Sequence, residues 1–139
     1  MICSSFAYPN MFDVARGKVN LYNNAQSIMN RVKLLLLTDP TEMHMNPNFG
    51  VGLRKYMFTY NNDNTVALIR DNLIDQLRLW EPAVVPEDTK VARGASLPEF
   101  AGSTTRSLDL NHLSLDVTLV SKYDGIISFT IDQSDIERY

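Results

Sequence analysis

Residues 64–80, NTVALIRDNLIDQLRLW, constrain the fold more than any other stretch. Val66, Ile69, Leu73, Leu77 and Trp80 recur in steps of 3, 4, 4 and 3. That is the spacing of one face of an α-helix. Arg70, Asp71, Asp75 and Arg78 fall largely on the other side. Burying one such aliphatic side chain is worth roughly 1.5–3 kcal/mol before ordering costs, so this stripe commits the helix to a core. Asn64 is a candidate N-cap and Pro82 a stop signal.

A second periodic segment, NLYNNAQSIMNRVKLLLLTDP, lies upstream. Leu21, Ala25, Ile28, Val32 and Leu35 form its stripe, which Met29 and Leu36 widen. Leu34 and Leu37 make the last turn apolar all round, which predicts deep burial of that end. An Asn between positions 20 and 24 can cap the start. Pro40 disfavours helical backbone at Asp39, so the helix should end near Thr38. Thr41 to Asn48 reads as a loop or short strand. In PNFGVGLRKYMF, Phe49, Leu53, Tyr56 and Met57 could share a face of a short helix. Gly50 and Gly52 weaken it by about 1 kcal/mol each relative to Ala.

Beyond Pro86 the period changes. Thr89 to Arg93 reads as a strand, and 94–107 as a long loop rich in Gly, Ser, Thr and Pro. Leu113, Leu115, Val117 and Leu119 then alternate with Ser114, Asp116 and Thr118, the pattern of a half-buried strand. Leu108 and Leu110 are out of phase with them, which predicts a bulge near Asn111-His112. Tyr123-Asp124-Gly125 signals a hairpin turn. The return strand alternates through Ile127, Phe129 and Ile131. Residues 132–139 are a polar tail. Residues 1–19 form an N-terminal extension, irregular or short-stranded, with a turn at Ala15 to Lys18. Helices first and strands later predict an α+β fold: two main helices and a short one packed on a C-terminal antiparallel or mixed sheet. With 139 residues, one domain spanning 1–139 is expected.

Charge narrows the function. The net charge is −3 and no Lys/Arg cluster exceeds the pair Arg54-Lys55, so nucleic acid is not an expected partner. The longest aliphatic run, Leu34 to Leu37, is far too short to cross a bilayer, so no membrane association is expected. Cys3 is the sole cysteine, which precludes an intrachain disulfide or a multi-cysteine zinc site. The first residues lack the basic and apolar regions of a signal peptide.

Candidate chemistry is sparse. Asp39 and Glu42 could serve as general acid and base, although carboxylates beside a proline more often cap a turn. Glu42 and His44 could offer two metal ligands, with His112 the only other histidine. Gly50-Val51-Gly52 lacks the rest of a dinucleotide or phosphate loop. Met43 to Met45 and the aromatics Tyr56, Phe58 and Tyr60 read first as core or groove filler, and second as a peptide-binding surface. No catalytic residue, metal or cofactor is expected.

The order of Leu37-Thr38, Pro40, Glu42, Pro47, Phe49-Gly50, Leu53, Phe58 and Trp80-Glu81-Pro82 resembles a known pattern. It is that of the baseplate wedge and sheath-initiator family of contractile phage tails, with relatives in contractile bacteriocins and type VI secretion systems. The resemblance covers about residues 19 to 92. Thr41 stands where the family usually has Gly, and Ala83 where it usually has Arg. The resemblance implies a non-enzymatic adaptor in the virion's tail baseplate, assembled in the host cytoplasm. It implies contact with a helical core bundle of other wedge proteins, and initiation of the tail sheath by strand pairing with the sheath protein. On this reading Trp80, Glu81 and Pro82 form the partner contact, with Trp80 in the core and Glu81 facing a partner helix. Leu115, Val117, Leu119, Ile127, Phe129 and Ile131 mark the hairpin that pairs with the sheath. Two alternatives belong to other classes. One is a soluble regulatory anti-adaptor, since a bacterial stress-response protein resembles the same fold. The other is a wall-degrading hydrolase using Asp39 or Glu42.

Overall fold

The computed structural model describes residues 5–7, 10–59, 62–93 and 113–137. A two-stranded ribbon, β1 (Phe12–Asp13) and β2 (Lys18–Val19), precedes helix α1 (Asn24–Leu37). One 3-10 turn (Leu53–Tyr56) separates α1 from α2 (Asp63–Trp80). A second antiparallel sheet follows, ordered β3 (Val84–Arg93), β4 (Ser114–Ser121) and β5 (Gly125–Asp132), and a short α3 (Gln133–Glu137) ends the described chain. The fold is α+β.

The stripe of α2 does what its spacing dictates: Val66, Ile69, Leu73 and Leu77 are all buried. The helix begins one residue before Asn64, and Asn62 is its cap, accepting from the Thr65 amide at 3.0 Å. Asn23 caps α1, which ends at Leu37 with Thr38 as C-cap. Two expectations for α1 fail. Leu21 lies outside the helix, exposed and bridged to Phe6. Leu34 is also exposed, because it shares a line along the helix with exposed Gln26 and Asn30, away from Ile28, Val32 and Leu35.

The expected short helix shrinks to a single 3-10 turn. Gly52, at φ 71°, is its N-cap, and only Leu53 within it is fully sequestered. Phe49 and Met57 flank it, partly buried against the core. Strand β3 starts five residues earlier than its β-branched run suggests. Val84 and Val85 pair with Ser121 and Val120, and pairing resumes at Lys90 opposite Thr118 after an irregularity. Pro86 breaks the hydrogen-bond ladder and so hides this continuity in the sequence. The β4–β5 register runs unbroken from Ser114 opposite Asp132 to Ser121 opposite Gly125. The expected loop at 94–107, Leu108 and Leu110, and the bulge near Asn111-His112 lie outside the described residues.

At the C-terminus, Gln133–Glu137 form a helix rather than an irregular tail. Ile136 is the reason, since it is the one large apolar side chain there and it joins the core. That core lies between one face of the sheet and the helices. Leu115, Val117, Leu119, Ile127, Phe129 and Ile131 meet Ile28, Val32, Leu36, Ile69, Leu73 and Leu77 in a single cluster.

Candidate functional site

The ends of α1 and α2 meet at the loop that follows Pro47. The last carbonyls of a helix need donors from elsewhere. Here the Val51 amide donates to Leu35 O and the Gly52 amide to Thr38 O, both at 3.0 Å. Such closeness demands glycine. A Cβ on Gly50, whose φ is 106°, would sit 2.3 Å from Thr38 O. Gln76 of α2 clamps the same loop: its Oε1 accepts from the Gly50 amide at 3.1 Å, and its Nε2 donates to Asn48 O at 2.9 Å. Pro47-Asn48-Phe49-Gly50 is therefore a rigid buttress, and it presents the Phe49 ring to Trp80 edge-on, with centroids 5.4 Å apart.

The helix-end triplet is inverted relative to its sequence reading. Trp80 is 39% exposed, whereas Glu81 is only 6% exposed. The cause is Arg31 of α1. Its Nε donates to Glu81 Oε2 at 2.6 Å and its terminal nitrogen to Oε1 at 3.0 Å, a two-point grip on the carboxylate. Glu81 is thus engaged within its own chain, and Trp80 leans outward across Phe49. Pro82 is exposed, and its carbonyl accepts from Lys122 Nζ at 2.6 Å. Ala83 is buried, and its carbonyl accepts from the Lys122 amide at 2.9 Å.

A surface follows from these contacts. Arg31 and Leu34 are one turn apart on α1, the carbonyl of Leu34 accepts from Thr38, and Thr38 touches the Gly50 buttress that carries Phe49. Exposed Leu34 and half-exposed Trp80 therefore rim a buried ion pair. Arg31, Leu34 and Gln76 had no distinguishing mark in the sequence. Each lies beside an apolar stripe, and its role depends on an element far along the chain.

Of the six hairpin residues expected to pair with a neighbour, all are buried in the chain's own core. They divide by strand. β4 is paired on both sides, with β3 and β5, so Leu115, Val117 and Leu119 lie on a strand with no open flank. Ile127, Phe129 and Ile131 lie on β5, which has β4 as its one neighbour. Any strand addition there uses the β5 backbone, with these side chains supplying the floor beneath.

The candidate reactive groups are occupied locally. Glu42 Oε2 accepts from the Asp39 amide at 3.0 Å, and the Glu42 amide donates to Asp39 O at 3.1 Å, so the two carboxylates build a turn. Among the described residues no three His, Cys, Asp or Glu side chains gather as a metal site, and no helix is long and apolar enough to cross a membrane. Cys3, Tyr60 and His112 lie outside the described residues.

A two-layer fold with an open strand edge and an apolar rim around a fixed ion pair defines a structural α+β protein. The chain belongs to the baseplate wedge protein gp25 family, whose sequence model matches residues 23–111. It is thereby a structural baseplate component of a phage-like tail. No curated protein matches the chain. Among solved structures it is similar to a chain of the anti-feeding prophage baseplate, at 18% identity and a TM-score of 0.54, covering 99% of this chain and 94% of that one. It is also similar to a candidate tail lysozyme from Geobacter sulfurreducens, at 19% identity and a TM-score of 0.57, covering 83% and 94% of the two chains. At these identities the likeness is one of fold, and the lysozyme name stays with that protein.

Proposed function

We propose that this chain is a wedge component that starts the tail sheath, lending the free edge of β5 to a strand of the sheath protein. The observation that carries this reading is the difference between the two edges of the sheet. β3 has Pro86, a register break between Val85 and Lys90, and the exposed acids Glu87 and Asp88. These devices discourage strand addition. β5 has none of them. It is eight residues long, regular, free of proline and lysine, and alternates buried Ile127, Phe129 and Ile131 with exposed Ser128 and Thr130. An incoming strand would gain backbone hydrogen bonds along the edge and extend the apolar floor.

The second contact of this reading is the helix-end surface. Leu34 and Trp80 would pack against the helical core bundle of other wedge proteins, with Pro82 at the margin. Glu81, held by Arg31, fixes the rim rather than reaching across it. Assembly takes place in the host cytoplasm, and the chain acts by binding rather than by catalysis.

Particles produced without this chain test the reading by electron microscopy. Baseplates without an extended sheath are expected, and normal contractile tails overturn it. The double substitution Ser128→Lys with Thr130→Lys tests the edge. Both positions are exposed, so the variant should fold with an unchanged melting temperature yet fail to extend a sheath. Full-length sheaths on particles that contain it would assign sheath contact to another surface.

A further inference from the structure

The N-terminal ribbon has two unlike faces, and its apolar face covers nothing. Phe12 is opposite Val19, and Phe6 is opposite Leu21. Opposed residues of an antiparallel pair project to the same side, and so do residues two apart. Phe6, Phe12, Val19 and Leu21 therefore share one face. Their exposures are 62%, 70%, 47% and 57%, and none joins the core. Asp13, Lys18 and Asn20 share the other face. The ribbon is nonetheless built, not frayed. The Tyr22 amide donates to Ser5 O at 2.8 Å, the Ala7 amide to Asn20 O at 3.0 Å, and the Asn20 amide to Met11 O at 2.9 Å. The Ser5 amide donates to the hydroxyl of buried Ser27 at 3.0 Å, which anchors the ribbon to α1.

We infer that this ribbon docks its Phe6–Phe12–Val19–Leu21 face into an apolar groove on a different subunit of the same baseplate. The inference rests on the chain being built into a baseplate. Area decides against a second copy as the occupant. The four side chains expose on the order of 400 Å² together, so two ribbons face to face would bury about 800 Å², short of the roughly 1,000 Å² or more that a specific pair requires. A contact of that size holds when neighbouring contacts are made simultaneously, as within an assembly. Charge gives the partner's rim. The turn carries Arg16, whose side chain is 80% exposed, and Lys18 is exposed beside it. The groove should be bordered by carboxylates, which also separates this contact from that of β5. The family match begins at residue 23, past the ribbon, so the contact belongs to this chain's own machine rather than to the shared fold.

The test places the photo-crosslinker p-benzoylphenylalanine at position 12 in particles assembled in the producing host, with position 20, on the opposite face, as control. Immunodetection of the chain in purified baseplates checks incorporation separately, so loss of the baseplate reading is distinguishable from loss of the ribbon contact. An adduct at position 12 with another baseplate polypeptide, absent at position 20, is the expected result. An adduct with a second copy, or equal labelling at both positions, overturns the inference. So does co-sedimentation of the purified protein with phosphatidylcholine–phosphatidylglycerol vesicles that is lost in Phe12→Asp, which would make the face a lipid contact. Phe12→Asp should leave the melting temperature unchanged and lower the yield of complete baseplates at least tenfold. An unchanged yield also overturns it.

Discussion

Arg31, midway along α1, holds Glu81, the first residue beyond α2, through both carboxylate oxygens. Removing one partner of a fully buried pair costs about 3–5 kcal/mol. Arg31 keeps 37% of its side chain exposed, so Arg31→Ala should cost less, about 1–2 kcal/mol in urea unfolding. Glu81→Ala should cost less again, since Arg31 can remain solvated. A double-mutant cycle should give about 1 kcal/mol of coupling, and simple additivity would count against the pair as a structural tie.

The clamp at Gln76 predicts a graded series. Gln76→Ala leaves the Gly50 amide and Asn48 carbonyl without their partner, at about 1–2 kcal/mol. Gly50→Ala is worse, because its Cβ meets a backbone oxygen that cannot move aside. Little folded protein is expected for Gly50→Ala by circular dichroism. Equal stabilities for the two variants would show that the loop is not rigid.

Thr41 adopts φ 80°, a left-handed conformation that a β-branched residue rarely tolerates. Its amide donates to Pro47 O at 2.9 Å, which holds the turn in place. Thr41→Gly should therefore raise stability by about 1 kcal/mol, the relieved strain being only partly offset by extra freedom in the unfolded chain. A lower melting temperature would refute this account of the turn.

Thr89 is buried in the irregular part of β3, and its hydroxyl has no hydrogen-bond partner. Thr89→Val keeps the shape and removes the stranded polar group, so a gain of about 1 kcal/mol is expected in thermal or chemical unfolding. A destabilised Val variant would mean that the hydroxyl is paired in solution.

What could be read from sequence divides along physical lines. The stripe of α2 and the alternation of Leu113 to Leu119 and Ile127 to Ile131 were legible because burial on one face repeats with the period of the element. The turn at Gly125 was legible because φ 79° is easy only for glycine. Trp80 and Glu81 were misplaced because their exposure is set by Arg31, 50 positions away, and by Phe49 across a loop. Leu34 was misread because an apolar run has no phase: four consecutive leucines cannot all face the core. Ile136 escaped notice as a lone apolar residue in a polar run. The site's outline was thus visible as an ordered set of motifs, but its ionic centre, its clamp and the choice of β5 over β4 required the tertiary fold.

One consequence concerns valence. A sheet with one guarded margin and one welcoming margin can accept a single strand and then is satisfied. Such a subunit can found a row but cannot continue it, and two of them meeting in solution could at most cap each other. The proline and acids of β3 thereby keep a protein whose purpose is to begin a polymer from becoming one.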